Sequence, residues 1–127
     1  MAKVLIVDDA LLIRMQLKKL FEETLRYEVV ALGQDGNEAV TLFKQHQPDL
    51  VTLDITMPNK DGLEALKEIL AIDPSARIFV VSAIKDSPKI TEALKLGAKG
   101  FLSKPLEVNN ANFIKEFVEE ITEAMES

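Results

Sequence analysis

Short apolar, β-branched runs alternate along this chain with stretches of helical periodicity. Val4-Leu5-Ile6-Val7 is the first run, and behind it Ile13, Leu17, Leu20 and Phe21 recur at helical spacing through about residue 25. Residues 28–32 predict a second strand. Gly36-Asn37 then opens a helix carrying Val40 and Phe43, which must stop before Pro48 because the residue ahead of a proline is pushed out of the helical region. Residues 49–53 predict the third strand, and Leu63, Leu66 and Ile69 mark the helix after it. Residues 78–81 predict the fourth strand. Ser87-Pro88 starts the next helix, with a hydroxyl at the cap and proline at the first helical position, and Gly97 ends it. A short fifth strand covers 100–102, and Phe113, Ile114, Phe117, Val118, Ile121 and Met125 stripe a closing helix. Five β/α units without repeat, low-complexity tract or linker imply an α/β fold in one domain, 1–127, whose parallel sheet is covered by helices on both faces.

Composition narrows the class. A chain of 127 residues buries roughly two-thirds of its unfolded surface as one domain. It is 47% apolar and 28% charged, and no apolar run approaches the roughly 20 residues that cross a bilayer. Met1-Ala2-Lys3 leads straight into a strand, without the apolar core and cleavage site of a secretory signal, so a cytoplasmic location is expected. The absence of cysteine excludes disulfides, thiolate chemistry and Cys-ligated metals. A net charge of −6 argues against a nucleic-acid-binding face.

The chemistry gathers at strand ends. Asp8-Asp9 closes the first apolar run, Asp54 the third, and Lys104 follows the fifth strand. Ligand sites of open α/β sheets lie at the carboxyl ends of their strands, so three carboxylates and one ammonium should converge on one rim. Two carboxylates about 4 Å apart repel by roughly 4 kcal/mol at an effective dielectric of about 20. Either their pKa values rise or a divalent cation joins them, and a partly hydrated Mg²⁺ suits hard oxygen ligands. Each residue also has a plainer role open to it. Asp8-Asp9 can cap the first helix, Lys104 can be a solvated loop lysine, Ser82 a strand-end hydroxyl bonded to its own backbone, Thr56-Met57-Pro58 a turn, and Phe101 core. His46 receives no role, and the glutamates at 116, 119, 120, 123 and 126 read as the wet face of an amphipathic helix.

Five motifs in order, Val7-Asp8-Asp9, Asp54-Ile55-Thr56-Met57-Pro58 with Gly62, Val81-Ser82-Ala83, Gly97-Ala98 and Lys104-Pro105, make the chain from Lys3 to about Ile121 resemble the receiver domain of two-component response regulators, most closely the stand-alone chemotaxis type. The resemblance implies a flavodoxin-like doubly wound (βα)5 fold with strand order 2-1-3-4-5. It implies Asp54 as the phosphoacceptor, fed by a sensor histidine kinase. Asp9 would be a direct Mg²⁺ ligand and Asp8 a second acid, with Asp54 and the Thr56 backbone carbonyl completing the set. Ser82 and Lys104 would bond the phosphoryl oxygens, Phe101 would be a switch aromatic, and Lys104-Pro105 a cis peptide. The output would be a changed surface, formed by the fourth helix, fifth strand and last helix, where a downstream target, an effector domain or a second copy docks.

Two positions depart from the commonest family pattern. Thr56 and Ile84 offer no amide or acid that orients water, so the acyl phosphate should decay slowly, with Ile84 also shielding it. Two other classes fit the motifs less well. An aspartate-nucleophile phosphatase of the haloacid dehalogenase type places its nucleophile after the first strand with a second aspartate two residues on, where this chain has Thr56. A flavodoxin-like cofactor binder needs a hydroxyl- and glycine-rich loop after the first strand, where Asp8-Asp9 would repel a phosphate.

Overall fold

In the computed structural model, residues 1–127 are described, apart from the side chain of Ile84. Five strands, β1 (Lys3–Val7), β2 (Glu28–Gly33), β3 (Leu50–Leu53), β4 (Ile78–Ala83) and β5 (Gly100–Lys104), alternate with five helices, α1 (Leu11–Leu20), α2 (Gly36–His46), α3 (Gly62–Ile72), α4 (Ser87–Leu96) and α5 (Ala111–Glu126). All pairings are parallel and the sheet runs β2-β1-β3-β4-β5, the order the resemblance implies.

Strand side chains alternate between two faces, and this alternation divides the core. Leu5 and Val7 of β1, Val51 and Leu53 of β3, and Ile78 and Val80 of β4 pack under α2, α3 and α4, where Phe43, Leu66, Ile69 and Ile90 are buried. Val4, Ile6, Leu50, Phe79 and Val81 point to the opposite face and meet Leu17, Leu20 and Phe21 behind α1 and Phe113, Phe117 and Ile121 of α5. Phe21 and Phe117 meet edge to face with ring centroids 5.1 Å apart.

Several element ends differ from the sequence expectation, with β4 running on to Ala83 and β5 to Lys104. The helix after β1 does not run regularly to residue 25. It widens into a π-turn over Phe21–Leu25, and Arg26 closes it in the left-handed region with φ 58°. The start of α4 shifts by one residue, because Asp86 occupies the cap position and Ser87 is already helical. The Asp86 carboxylate turns back toward the sheet instead of bonding the helix.

Candidate functional site

Register places the acids. Val7 lies opposite Leu53, so the next residues, Asp8 and Asp54, leave the sheet side by side. The Asp54 N–H donates to the Val7 carbonyl (3.1 Å) and the Asp8 N–H to the Gly33 carbonyl (3.0 Å). Asp8 and Asp54 are buried, at 0% and 4% exposure, while Asp9 is exposed. One carboxylate oxygen from each of the three lies within 4.8 Å of the others. Lys104 reaches in from the end of β5, its Nζ 2.8 Å from Asp8 Oδ2 and 3.5 Å from Asp54 Oδ2. The Lys104–Pro105 peptide is cis, the isomer the resemblance implies.

Asp8 does not cap α1, whose cap residue is Ala10 without a side-chain bond; its Oδ1 instead accepts the Ala10 N–H (2.9 Å) in the turn that precedes the helix. Its backbone carbonyl accepts from Nη1 of the buried Arg14 (2.7 Å), which ties that turn to α1.

These charges do not balance within the protein. Burial, then the Asp8 carboxylate, push the Asp54 pKa up to about 7, with Asp9 adding to the rise. Lys104 and the Thr56 N–H act in the opposite direction. For Lys104, burial opposes the charged form, but the bond to Asp8 and the field of Asp54 more than offset it, and its pKa is raised. Asp8 Oδ2 is buried and is met by the Lys104 ammonium at 2.8 Å. Three converging carboxylates against that one ammonium leave a cluster of hard oxygen donors with excess negative charge, which fits Mg²⁺.

An opening of about 220 Å³ gives access to Asp54 and is lined by Thr56, Ala83, Lys85, Asp86 and Lys104. Thr56 is exposed there, and its N–H points to Asp54 Oδ1 at 3.4 Å. Ser82 sits one residue inside the rim, fully buried, and its hydroxyl donates to Asp86 Oδ2 (3.1 Å). Phe101, opposite Val80 in the register, is 42% exposed and so is not a core residue. The expectation that Ile84 shields the site falls on a side chain outside the described residues.

Close packing fixes the loop between β3 and α3. A Cβ on Gly62 would lie 2.1 Å from the Asp54 carbonyl oxygen, and the Gly62 N–H donates to the Ile55 carbonyl (2.7 Å), so only glycine lets α3 start this close to the end of β3. Gly36 makes the matching approach at α2, where a Cβ would lie 2.3 Å from the Lys60 carbonyl oxygen. Asn59, at φ 68°, donates from Nδ2 to Asp35 Oδ2 (2.8 Å) and completes the brace.

Sequence reasoning missed the brace and Asp86. A signal for part of the brace was present: Asp35 and Asp61 each precede a glutamate by three residues, the spacing of a capping box, and each accepts the N–H of that glutamate (Glu38 at 2.9 Å, Glu64 at 3.0 Å). No periodicity or motif marks Asp86.

A model of the response regulator receiver domain matches residues 4–114. The chain belongs to that family. It is 48% identical over 105 residues to the chemotaxis protein CheY of Thermotoga maritima, an alignment covering 83% of this chain and 87% of that one. It is 44% identical over 107 residues to the protein CcdB of Bacillus subtilis, covering 84% and 88%. The response regulator domain of Thermotoga maritima CheB superposes with a TM-score of 0.86 at 37% identity, covering 99% of this chain and 97% of that domain. A chain of the CheX–CheY–BeF3–Mg²⁺ complex of Borrelia burgdorferi superposes with a TM-score of 0.84 at 34% identity, covering 95% and 87%. Fold and relatives thus agree on a CheY-like receiver domain of two-component signalling. No helix among the described residues is long and apolar enough to cross a membrane.

Proposed function

We propose that Asp54 accepts a phosphoryl group from a histidine kinase in a Mg²⁺-dependent reaction, and that the modified domain presents a changed surface to a protein partner in the cytoplasm. The observation that carries this is the convergence of Asp8, Asp9 and Asp54 within 4.8 Å, with Lys104 against two of them, under an opening wide enough for a phosphoryl group.

In this reading an Asp54 carboxylate oxygen forms a bond to phosphorus. The bond from phosphorus to the donor's imidazole nitrogen breaks, and its electron pair leaves with the nitrogen. The attacking oxygen must be ionised, which burial and Asp8 oppose in the chain alone. Asp8, Asp9, Asp54 and the Thr56 carbonyl would hold Mg²⁺, which supplies positive charge to the carboxylates and to the phosphoryl oxygens. Lys104 already stands between Asp8 and Asp54 and needs only to swing from one oxygen to another to meet the transferred group. The Gly62 contact and the Asn59–Asp35 brace hold the nucleophile still, which matters because phosphoryl transfer depends mainly on positioning and electrostatics. The chain does no chemistry beyond gaining and losing its own phosphoryl group.

Phosphorylation adds close to two negative charges, and two charge-assisted hydrogen bonds from Ser82 and Lys104 are worth roughly 1.5–3 kcal/mol each. Moving a two-state domain from mostly inactive to mostly active takes about 5.5 kcal/mol, so the two bonds are of the right size. The output face is α4, β5 and α5. Phe101 stands exposed there beside a hollow shared by Phe113, Glu107, Glu116 and Glu120, a mixture that suits a target protein or a second copy and not nucleic acid.

Intact-mass measurement after treatment with acetyl phosphate and Mg²⁺ tests the reading. One added phosphoryl group is expected, absent when chelator is added before the acetyl phosphate and absent in Asp54→Asn. Phosphorylation that survives Asp54→Asn would overturn it.

A further inference from the structure

We propose that Asp86 is a positioning residue that holds the Ser82 hydroxyl away from the phosphoryl site in the unphosphorylated chain and thereby sets how readily the domain switches. This rests on the reading of Asp54 as phosphoacceptor. Ser82 is fully buried, and its hydroxyl has one proton, which it donates to Asp86 Oδ2 at 3.1 Å. The same proton is the one Ser82 would offer to a phosphoryl oxygen on Asp54, and Asp86 lines the opening above that residue. The two acceptors therefore compete for one donor.

The position of Asp86 shows that its bond to Ser82 has an alternative. It precedes the first residue of α4, where an aspartate ordinarily bonds the free N–H groups of the first turn. Asp35, Asp61 and Asn110 make such bonds at α2, α3 and α5. Asp86 makes none. It faces Ser82 instead, leaving the start of α4 without that side-chain partner.

Phosphorylation of Asp54 changes which arrangement is favoured. The phosphoryl group is the stronger acceptor and takes the Ser82 proton, and its charge repels the Asp86 carboxylate across the opening. Asp86 is then released to turn outward toward the first turn of α4, where Pro88 has no N–H and Lys89 supplies the third-position N–H that a capping carboxylate meets. One carboxylate thus has two discrete partners, and the phosphoryl group biases the choice, which is what a switch requires.

The test is a double-mutant cycle read by calorimetric titration with beryllofluoride in excess Mg²⁺, a probe of the phosphorylated state. Asp86→Ala is expected to bind beryllofluoride about tenfold more tightly than wild type, the scale of releasing one hydrogen bond to a charged group. In a Ser82→Ala background the same substitution should have at most a small effect, because the proton in dispute is gone. Asp86→Asn keeps an acceptor but loses the charge, and should lie between the two. Equal gains from Asp86→Ala in both backgrounds would show that Asp86 acts by charge repulsion alone and would overturn the proposal, as would an unchanged or weaker affinity with Ser82 present. A wild-type chain that takes up no beryllofluoride would overturn the phosphoacceptor reading as well, so the two failures are distinct.

Discussion

The two flanks of the site are built differently. On the β1–β3 side, Asp8 and Asp54 are fixed by backbone hydrogen bonds to neighbouring strands, Gly62 presses α3 against the Asp54 carbonyl, and Gly36 and Asn59 lock the intervening loop to α2. On the β4–β5 side, Ser82 is held by a single bond to a residue in the turn before α4, and Phe101 stands half in solvent. The first flank contains the proposed nucleophile and cation ligands, whose misplacement by an ångström would cost catalysis heavily. The second contains the parts that must exist in two arrangements of similar free energy. A closely braced flank and a lightly held one are thus separated by strand, and substitutions can test whether the separation is real.

Gly62→Ala should give the largest effect. The new Cβ would meet backbone, 2.1 Å from the Asp54 oxygen and 2.7 Å from the Ile55 Cα, and backbone in a packed sheet cannot step aside. A loss of about 3 kcal/mol or more is expected from urea unfolding. A loss below about 1 kcal/mol would mean that this flank yields, and the comparison would fail.

Asp54→Asn should act in the opposite direction. Its folded-state pKa, about 7, lies above the ordinary 3.8, so between those values the folded chain binds more protons than the unfolded one. Stability from this group therefore falls as pH rises from about 4 to about 7 and stays low above that. The shift corresponds to a ceiling of about 4 kcal/mol, which relaxation around the ionised group reduces to about 2 kcal/mol. With chelator at pH 8 the variant should melt higher than wild type, the difference shrinking toward pH 5, while Mg²⁺ should narrow it by stabilising wild type more. Equal melting at pH 8 in chelator would show that the three acids do not strain the rim.

The same contrast explains what was legible in the sequence. Strands and helices followed from apolar spacing, because both faces of the sheet are covered and β1, β2 and β4 each carry an uninterrupted run of four apolar residues. Asp8, Asp9, Asp54 and Lys104 were readable as a group because strand ends in a parallel sheet share one rim. The π-turn at Phe21–Leu25 was not, since the apolar pattern of Leu20, Phe21 and Leu25 fits a regular helix as well, and the contacts of Phe21 with Phe117 and Tyr27 are tertiary. Nor was Asp86, whose choice between capping α4 and bonding Ser82 depends on a distance no linear pattern encodes. Asn59 reads as a turn residue, and only the fold shows that its amide reaches Asp35.

Asn59→Ala sharpens the comparison at smaller scale. It removes the bond to Asp35 and places alanine at φ 68°, and together these should cost about 1–2 kcal/mol. Amide hydrogen exchange should quicken in residues 55–61 and leave β4 and β5 unchanged. Equal acceleration across both flanks would mean that the brace serves the whole domain and not the loop between β3 and α3.

The smallest stability effect is expected at Phe101. Phe79, one strand over on the buried face, is 1% exposed, and its truncation to alanine should cost about 3–5 kcal/mol. Phe101 is 42% exposed and gives up much less packing, so Phe101→Ala should change unfolding free energy by only about 0.5 kcal/mol. A ring kept half in water at so little benefit to folding is free to turn inward when Ser82 moves. Amide exchange in residues 84–106 should therefore respond to beryllofluoride in wild type and respond less in Phe101→Ala, although both chains fold equally well. If Phe101→Ala were as destabilising as Phe79→Ala, the ring would belong to the core. The β4–β5 flank would then be as rigid as the β1–β3 flank opposite.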